Sequence, residues 1–238
     1  MKKVLLLLMF IPVLAFTQPK EVISAFRVFP VPGKALEFKK ALIAHVAKYH
    51  VTERKWRIFE VMTGPDAGAF HFVEGPGSWE AWEKAPQNTD AHITDWDKTV
   101  EVFISKTTTS GYSTYQADMS TAKQTDYANN IILTHMYMKP GMTEKAWDLI
   151  EKMKKGWELS NQSMAVYAAS SSGEPQIITS RRLKGGLKEL DATGNSFADN
   201  YRKANGPDSW AEFSNSYAEV FERRWSEMLM FRADLSSK

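Results

Sequence analysis

The sequence contains no cysteine, which excludes disulfide bonds, a thiol nucleophile and every metal or iron–sulfur site that needs a thiolate ligand. It also lacks an excess of either charge, because 30 Lys and Arg residues balance 28 Asp and Glu residues. Binding to a phosphate backbone requires a basic surface, so nucleic acid is not an expected partner.

Familiar catalytic motifs are missing as well. The chain has no G-x-S-x-G elbow, no P-loop, no dinucleotide-binding fingerprint and no H-E-x-x-H sequence. Its acidic residues are scattered mostly over predicted helix surfaces, where a solvated face is the ordinary explanation. The sequence therefore leaves open whether the protein is an enzyme, and it predicts neither a cofactor nor a metal site.

Long apolar runs are scarce too. The most apolar stretch, Val4–Phe16, has 13 residues, too few to span a bilayer comfortably. Lys2 and Lys3 precede it and small residues follow it, which is typical of a secretory signal peptide over residues 1–17. A buried N-terminal strand or helix is the alternative. We expect a bacterial protein exported to the periplasm or secreted, with no membrane attachment after cleavage.

The sequence does contain one order of secondary-structure elements that occurs twice. In the first half, apolar patterns predict a helix over 34–50, helical stretches from 78 and over 94–105, and strands over 21–31, 56–63, 69–74 and 111–118. From Asn130 the same βαββαβ order returns and ends in a strand over 228–234. We therefore predict repeats over 18–120 and 130–238, joined by a polar linker over 121–129.

Matching landmarks favour a duplication. Pro140-Gly141 follows Pro32-Gly33 by 108 residues, and the hairpin turns and both following strands coincide at that offset. A more conspicuous pair, GPGSW at 75–79 and GPDSW at 206–210, has an offset of 131 and is out of register. We interpret that pair as a coincidence of helix-start chemistry, a Gly-Pro turn before a Ser cap.

Each half has the order of a ferredoxin-like unit, a four-stranded antiparallel sheet with helices on one face. The uncovered face is too apolar for water, so two units can pack sheet to sheet around a lumen. In this order of elements, residues 21–236 resemble the dimeric α/β-barrel superfamily in tandem, single-chain form. That superfamily includes NIPSNAP-like and EthD-like proteins, chlorite dismutases, and antibiotic-biosynthesis and haem-degrading monooxygenases. The resemblance implies an α+β fold of two tandem βαββαβ units, and it supports fold better than function.

Strand alternation suggests which residues face the lumen. Ala25, Arg27 and Phe29 share one face of the first strand, and their counterparts in the second repeat include His135 and Tyr137. This more polar face suits a small apolar, anionic or carbonyl-bearing ligand. The candidate ligand-binding residues are Arg27, Phe29, His71, Gln116, His135, Tyr137 and Arg232. Alternatively, Arg27 and His135 point to solvent or satisfy an internal network.

The remaining histidines carry weaker signals. His45 and His50 are separated by about 140° around a helix, so we do not expect them to share a metal ion. His45 falls on the apolar stripe of its helix, and His92 falls in a polar, solvated stretch. Haem-degrading members of the superfamily surround haem with His, Trp and Asn, but no spacing here carries that triad over.

The leading hypothesis is thus an exported, soluble, ligand-binding protein, either a monomer or a homodimer. A second hypothesis is an enzyme, either a cofactor-independent monooxygenase-like protein acting on an apolar aromatic substrate or a haem-handling one. A third is a structural or partner-binding protein whose lumen is filled by side chains.

Overall fold

The computed structural model describes residues 21–52, 54–86, 88–107, 110–191 and 194–238, so the predicted signal peptide lies outside the described residues. The first half contains β1 (Val22–Pro30), α1 (Ala35–Tyr49), β2 (Trp56–Val61), β3 (Phe70–Gly77), α2 (Trp79–Lys84), α3 (Asp90–Asp95), β4 (Ile104–Thr107) and β5 (Gly111–Tyr115). The second half contains β6 (Asn130–Met138), α4 (Thr143–Leu159), β7 (Met164–Ser170), β8 (Gln176–Leu183), α5 (Phe197–Asn205), α6 (Ser209–Val220) and β9 (Phe221–Phe231).

The two Pro-Gly landmarks adopt the same conformation. Gly33 has φ +79° and Gly141 has φ +78°. This is a left-handed backbone conformation that residues other than glycine rarely adopt. Each glycine lies between the first strand and the first helix of its half. The chain therefore reverses in the same way at both positions, as a duplication predicts.

The strands close into a barrel. Two antiparallel sheets with the orders β5-β1-β3-β2 and β9-β6-β8-β7 are joined at both edges, where β2 pairs with β9 and β5 pairs with β7. β4 pairs with residues 28–30 of β1, along the same edge that β5 occupies from Val22 to Ala25. The predicted tandem ferredoxin-like α/β barrel is confirmed.

Three apolar clusters follow from strand alternation. Between the helices and the outer barrel face, one cluster contains Phe38 and Phe72 from the first half, and another contains Met136 and Ile150 from the second. The third lies inside the barrel and includes Phe59, Leu133 and Leu229. Burying each such side chain contributes roughly 1.5–3 kcal/mol, so both faces of the sheet stabilise the fold.

The structure corrects two element boundaries. β9 begins at Phe221 and ends at Phe231, whereas the sequence predicts a strand over 228–234. Its first part, FERRWSE, is rich in charged residues, so the apolar–polar alternation typical of a strand is not visible there. The helix expected over 94–105 ends at Phe103, and β4 begins at Ile104. In the described part of the chain, no helix is long and apolar enough to cross a membrane.

Candidate functional site

The barrel contains a partly open cavity of about 120 Å³. Its wall combines the apolar cluster inside the barrel with polar side chains from several strands and from the segment between the repeats. Both repeats contribute, and the lining includes Phe59, His71, Gln124, Leu133, His135 and Tyr167. The lumen is therefore not packed solid, which argues against the hypothesis of a filled barrel.

A buried ion pair links the two repeats beside the cavity. Nη1 of Arg27 on β1 lies 2.9 Å from Oε2 of Glu227 on β9, and Nη2 contacts the other carboxylate oxygen. Nη1 also lies 2.7 Å from the carboxylate of Asp66. This two-point pairing fixes both the position and the plane of the guanidinium.

Two histidines extend this network. Nε2 of His135 lies 3.0 Å from Oε1 of Glu227, and the ring stacks on Trp225 at a centroid distance of 4.1 Å. Nδ1 of His71 accepts a hydrogen bond from Nε of Arg27 at 3.3 Å. Burial, helped by the positive charge of Arg27, holds the pKa of His71 well below its ordinary value. His71 is therefore neutral near pH 7, and because Nδ1 is the acceptor, its proton is on Nε2.

A second arginine holds the segment between the repeats over the barrel. Nη1 of Arg182 donates to the backbone carbonyls of Lys123 and Asp126, and Nη2 lies 3.1 Å from the hydroxyl of Tyr167. These bonds position Gln124 and Tyr127 in the cavity wall. The predicted linker thus forms part of the site.

Polar atoms without a partner face this part of the cavity. The side chain of Gln124 is buried, and both its amide nitrogen and its amide oxygen lack a hydrogen bond within the described structure. Nε of Arg57 also lacks a hydrogen-bond partner within the described structure. The guanidinium carbon of Arg57 lies 3.5 Å from the ring centroid of Tyr127. Burial also lowers the pKa of Arg57. Each unpaired buried group costs about 1–3 kcal/mol, which a polar ligand or a water molecule would recover.

The seven candidate residues divide into three groups. Arg27, His71 and His135 come together in one network, and Phe29 packs against the apolar cluster inside the barrel. Arg27 is engaged by carboxylates, as the alternative of an internal network predicts. Of the seven, only His71 and His135 are among the described residues that line the cavity. Tyr137, Gln116 and Arg232 have partners elsewhere: Arg223 covers the Tyr137 ring, Gln116 donates to Thr114, and Arg232 pairs with Glu60 and Asp234.

Sequence reasoning missed three important residues. Strand alternation could have identified Arg57, because it shares a face of β2 with Phe59. Glu227 was missed because β9 begins earlier than its apolar pattern. Gln124 lies outside any strand or helix, and no sequence signal would have placed it against the lumen.

The other three histidines meet outside the barrel. His45, His50 and His92 are all buried, and one ring nitrogen from each lies within 4.8 Å of the others. His45 and His50, which we expected to be separated by about 140° around a helix, both contact His92, and His50 is the residue at which α1 ends. The expectation of a solvated His92 is wrong, since it lies on α3 and is buried.

Comparison with known protein families finds no match for the chain, and no curated protein matches it. Solved structures do resemble it. A protein from Fusobacterium nucleatum, provisionally named a monooxygenase, has a TM-score of 0.58 and 12% identity, over 90% of this chain and 94% of that one.

Two further structures are similar. One, provisionally named a chlorite dismutase, has a TM-score of 0.54 and 8% identity over 90% of this chain and 96% of its own. An anthrone oxidase-like protein has a TM-score of 0.52 and 13% identity, covering 90% and 92%. At such low identity the likeness concerns fold alone. Together with the closed eight-strand ring, it shows that the fold is an α/β barrel built from two ferredoxin-like units in one chain.

Proposed function

We propose that the protein binds a small, largely apolar molecule carrying a carboxylate, phenolate or carbonyl oxygen in the barrel cavity. The observation that carries this proposal is that the amide of Gln124 and Nε of Arg57, both from residues that line the cavity, have no hydrogen-bond partner among the described residues. A folded protein seldom leaves buried polar atoms without partners unless a ligand, ion or water supplies them.

The charges of the wall favour an anionic group at the Gln124 end. The guanidinium of Arg57 lies over the rings of Tyr127 and Phe231, and that of Arg182 donates to backbone carbonyls and a hydroxyl. Both arginines thus have uncharged partners, in contrast to Arg27, which is paired with carboxylates. A ligand oxygen bearing negative charge would offset the two cations and accept from the Gln124 amide.

The size of the cavity restricts the ligand further. About 120 Å³ is well below the roughly 300–1,000 Å³ of pockets that hold drug-sized molecules. We therefore expect a single ring or a short branched chain, with its apolar body against Phe59 and Leu133 and its oxygen toward Gln124. We also propose, from the N-terminal sequence pattern, that the protein acts after export from a bacterial cell.

Ligand-observed NMR and calorimetry with benzoate, phenol and cyclohexanecarboxylate as probes test this assignment. We expect the carboxylates to bind, and we expect Gln124→Leu to weaken binding by tenfold or more. Gln116→Leu is the matched control, because Gln116 lies outside the cavity and should leave affinity unchanged. Equal weakening by both substitutions, or no binding of any probe, would contradict the proposal.

A second candidate is oxidation of such a ligand without a cofactor, favoured by the names of the monooxygenase-like and anthrone oxidase-like structures. This reaction begins when a base removes a proton from the substrate. The described lining residues include no carboxylate, and Nδ1 of His71 already accepts from Arg27. The wall thus supports binding better than catalysis. Consumption of oxygen after addition of a phenol that binds would favour catalysis over binding alone.

Haem does not fit the cavity. The volume of about 120 Å³ is too small for a porphyrin, and both ring nitrogens of His135 already face Glu227 and Gln176. A haem titration should therefore leave the Soret absorbance of free haem unchanged. A sharpened, shifted Soret band that disappears in a His71→Leu variant would show that the barrel opens to admit haem.

A further inference from the structure

Three histidine side chains converge in the first half, on the outer side of the barrel. His45 lies on α1, His50 directly follows α1, and His92 lies on α3. Nε2 of His92 is 3.0 Å from Nε2 of His45 and 3.2 Å from Nε2 of His50. The same atom of each ring therefore points to one common centre.

Hydrogen bonds on the far side of two rings fix their tautomers. Nδ1 of His45 lies 2.8 Å from a carboxylate oxygen of Asp95, and Nδ1 of His50 lies 2.7 Å from the backbone carbonyl of Arg54. Both oxygens accept only, so Nδ1 carries the proton in each neutral ring. The Nε2 lone pairs of His45 and His50 are therefore directed at the centre.

This arrangement is unfavourable when only protein atoms are present. A proton on Nε2 of His92 can satisfy one of the two facing lone pairs well, and the other lone pair then stays unpaired. Nδ1 of His92 is buried and has no hydrogen-bond partner in the described part of the chain. Protonating a further ring is opposed by burial, which lowers the pKa values of His45 and His92 and brings that of His50 to about 3.

A divalent transition-metal ion resolves this conflict. Neutral imidazole nitrogens suit Zn²⁺, Cu²⁺ and Ni²⁺, and three protein ligands leave one position for water. With Zn–N bonds of about 2.0–2.1 Å, tetrahedral ligand atoms are about 3.3 Å apart, close to the two observed contacts. Rotation of the His45 or His50 ring brings the third pair, within 4.8 Å, to the same spacing.

The surroundings also resemble those of a metal centre. A carboxylate or carbonyl that accepts from the second ring nitrogen is the common outer partner of a metal-binding histidine, because it orients the ring and raises its basicity. Asp95 and Arg54 supply these partners. Trp56 stacks on His50 at a centroid distance of 3.4 Å, and Trp96 packs edge-on against His45. These rings restrict the motion of the ligands.

We propose that His45, His50 and His92 bind one divalent transition-metal ion, with Zn²⁺ the best fit, through their Nε2 atoms. The ion joins α3 to the end of α1. It therefore fixes α3 against α1, and its fourth position holds water. This site is separate from the cavity and does not depend on the proposed ligand.

Metal binding by the full chain without a histidine tag tests the proposal. Protein stripped with EDTA is titrated with Zn²⁺ against a chromogenic chelator, and with Co²⁺ while visible absorption is recorded. We expect one ion per chain and the intense visible bands of tetrahedral Co²⁺. His45→Leu and His92→Leu should each weaken Zn²⁺ binding at least 100-fold. His71→Leu, a histidine outside the cluster, is the matched control and should bind normally.

Imidazole NMR of the unmodified protein covers the case in which a variant fails to fold. Addition of Zn²⁺ should shift the Nε2 resonances of His45, His50 and His92 and leave those of His71 and His135 in place. Two outcomes would overturn the proposal: no stoichiometric binding of Zn²⁺, Co²⁺, Ni²⁺ or Cu²⁺, or affinity that a folded His92→Leu variant retains.

Discussion

Arg27 and Glu227 are 200 residues apart in sequence and form a buried, two-point ion pair that joins the first strand of the barrel to the last. Each comes from a different repeat, so neither half contains the pair alone. Only the closed ring brings the two side chains together. The pair therefore depends on tertiary structure, and its removal tests how the two halves support each other.

We predict that Glu227→Gln lowers the free energy of unfolding by about 3 kcal/mol, because hydrogen bonds between charged groups contribute about 1.5–3 kcal/mol each and the buried guanidinium of Arg27 loses its two-point carboxylate partner while it keeps Asp66. Urea unfolding monitored by tryptophan fluorescence measures the change. Glu222→Gln is the matched control, since Glu222 is exposed on the same strand. Replacing both partners, Arg27→Met with Glu227→Met, should recover part of the loss, because no unpaired charge of this pair is then left.

Gln124→Leu should raise the stability of the ligand-free protein while it weakens ligand binding. The substitution removes a buried amide that has no partner among the described residues, a group that costs about 1–3 kcal/mol. Thermal unfolding without ligand measures the effect, with Gln116→Leu as the control. A destabilised Gln124→Leu protein would indicate that ordered water already satisfies the amide.

Arg182→Met should release the segment between the repeats. The substitution removes the donors to Lys123, Asp126 and Tyr167, and the lost bonds to a charged group are worth about 1.5–3 kcal/mol each. Hydrogen exchange at the amides of Asp126 and Tyr127 should accelerate more than exchange in β6. Arg223→Met removes an exposed ion pair with Glu174. It should leave hydrogen exchange unchanged both at these two amides and in β6.

The stability of the protein should fall in mild acid because of His71. The folded pKa lies well below the ordinary value of 6.5, so the unfolded chain binds the proton more readily. The contribution of His71 is therefore fully present above pH 6.5 and is lost as the pH falls toward the folded pKa. Its slope approaches, at most, about 1.4 kcal/mol per pH unit.

Urea unfolding at several pH values between neutral and mildly acidic conditions measures this slope. His71→Leu should show a shallower decline than the unmodified protein, since all other titrating groups are common to both. Parallel curves for the two proteins would contradict this prediction, because they would mean that His71 binds its proton equally well in the folded and unfolded chains.

Much of the fold could be predicted because local signals repeat. Both Pro-Gly turns, the first helix of each half and strand β8 were located from hydrophobic periodicity and turn residues alone. The errors arose where charge conceals a strand, as in β9, or where short helices give way to an edge strand, as before β4. A predicted strand that began at Phe221 would have placed Glu227 and Trp225 in the barrel.

The site was less predictable, since it combines distant residues. Alternation correctly grouped Arg27 with His135, but whether Arg27 meets a ligand or a carboxylate depends on Glu227, at the other end of the chain. His45, His50 and His92 come from two helices and a helix end. Their convergence depends on where α1 stops, which periodicity locates only to within a residue or two.

The sequence by itself determined the repeated βαββαβ order, the lack of thiol chemistry and the polar face of β1, because these depend on local periodicity and residue type. Only the tertiary structure decided that the ring closes and that Arg27 is paired with carboxylates. It alone also decided that polar atoms of Gln124 and Arg57 have no partner in the described part of the chain, and that three histidines meet. Those properties depend on distances between residues that are far apart in the chain, and sequence patterns record such distances only indirectly.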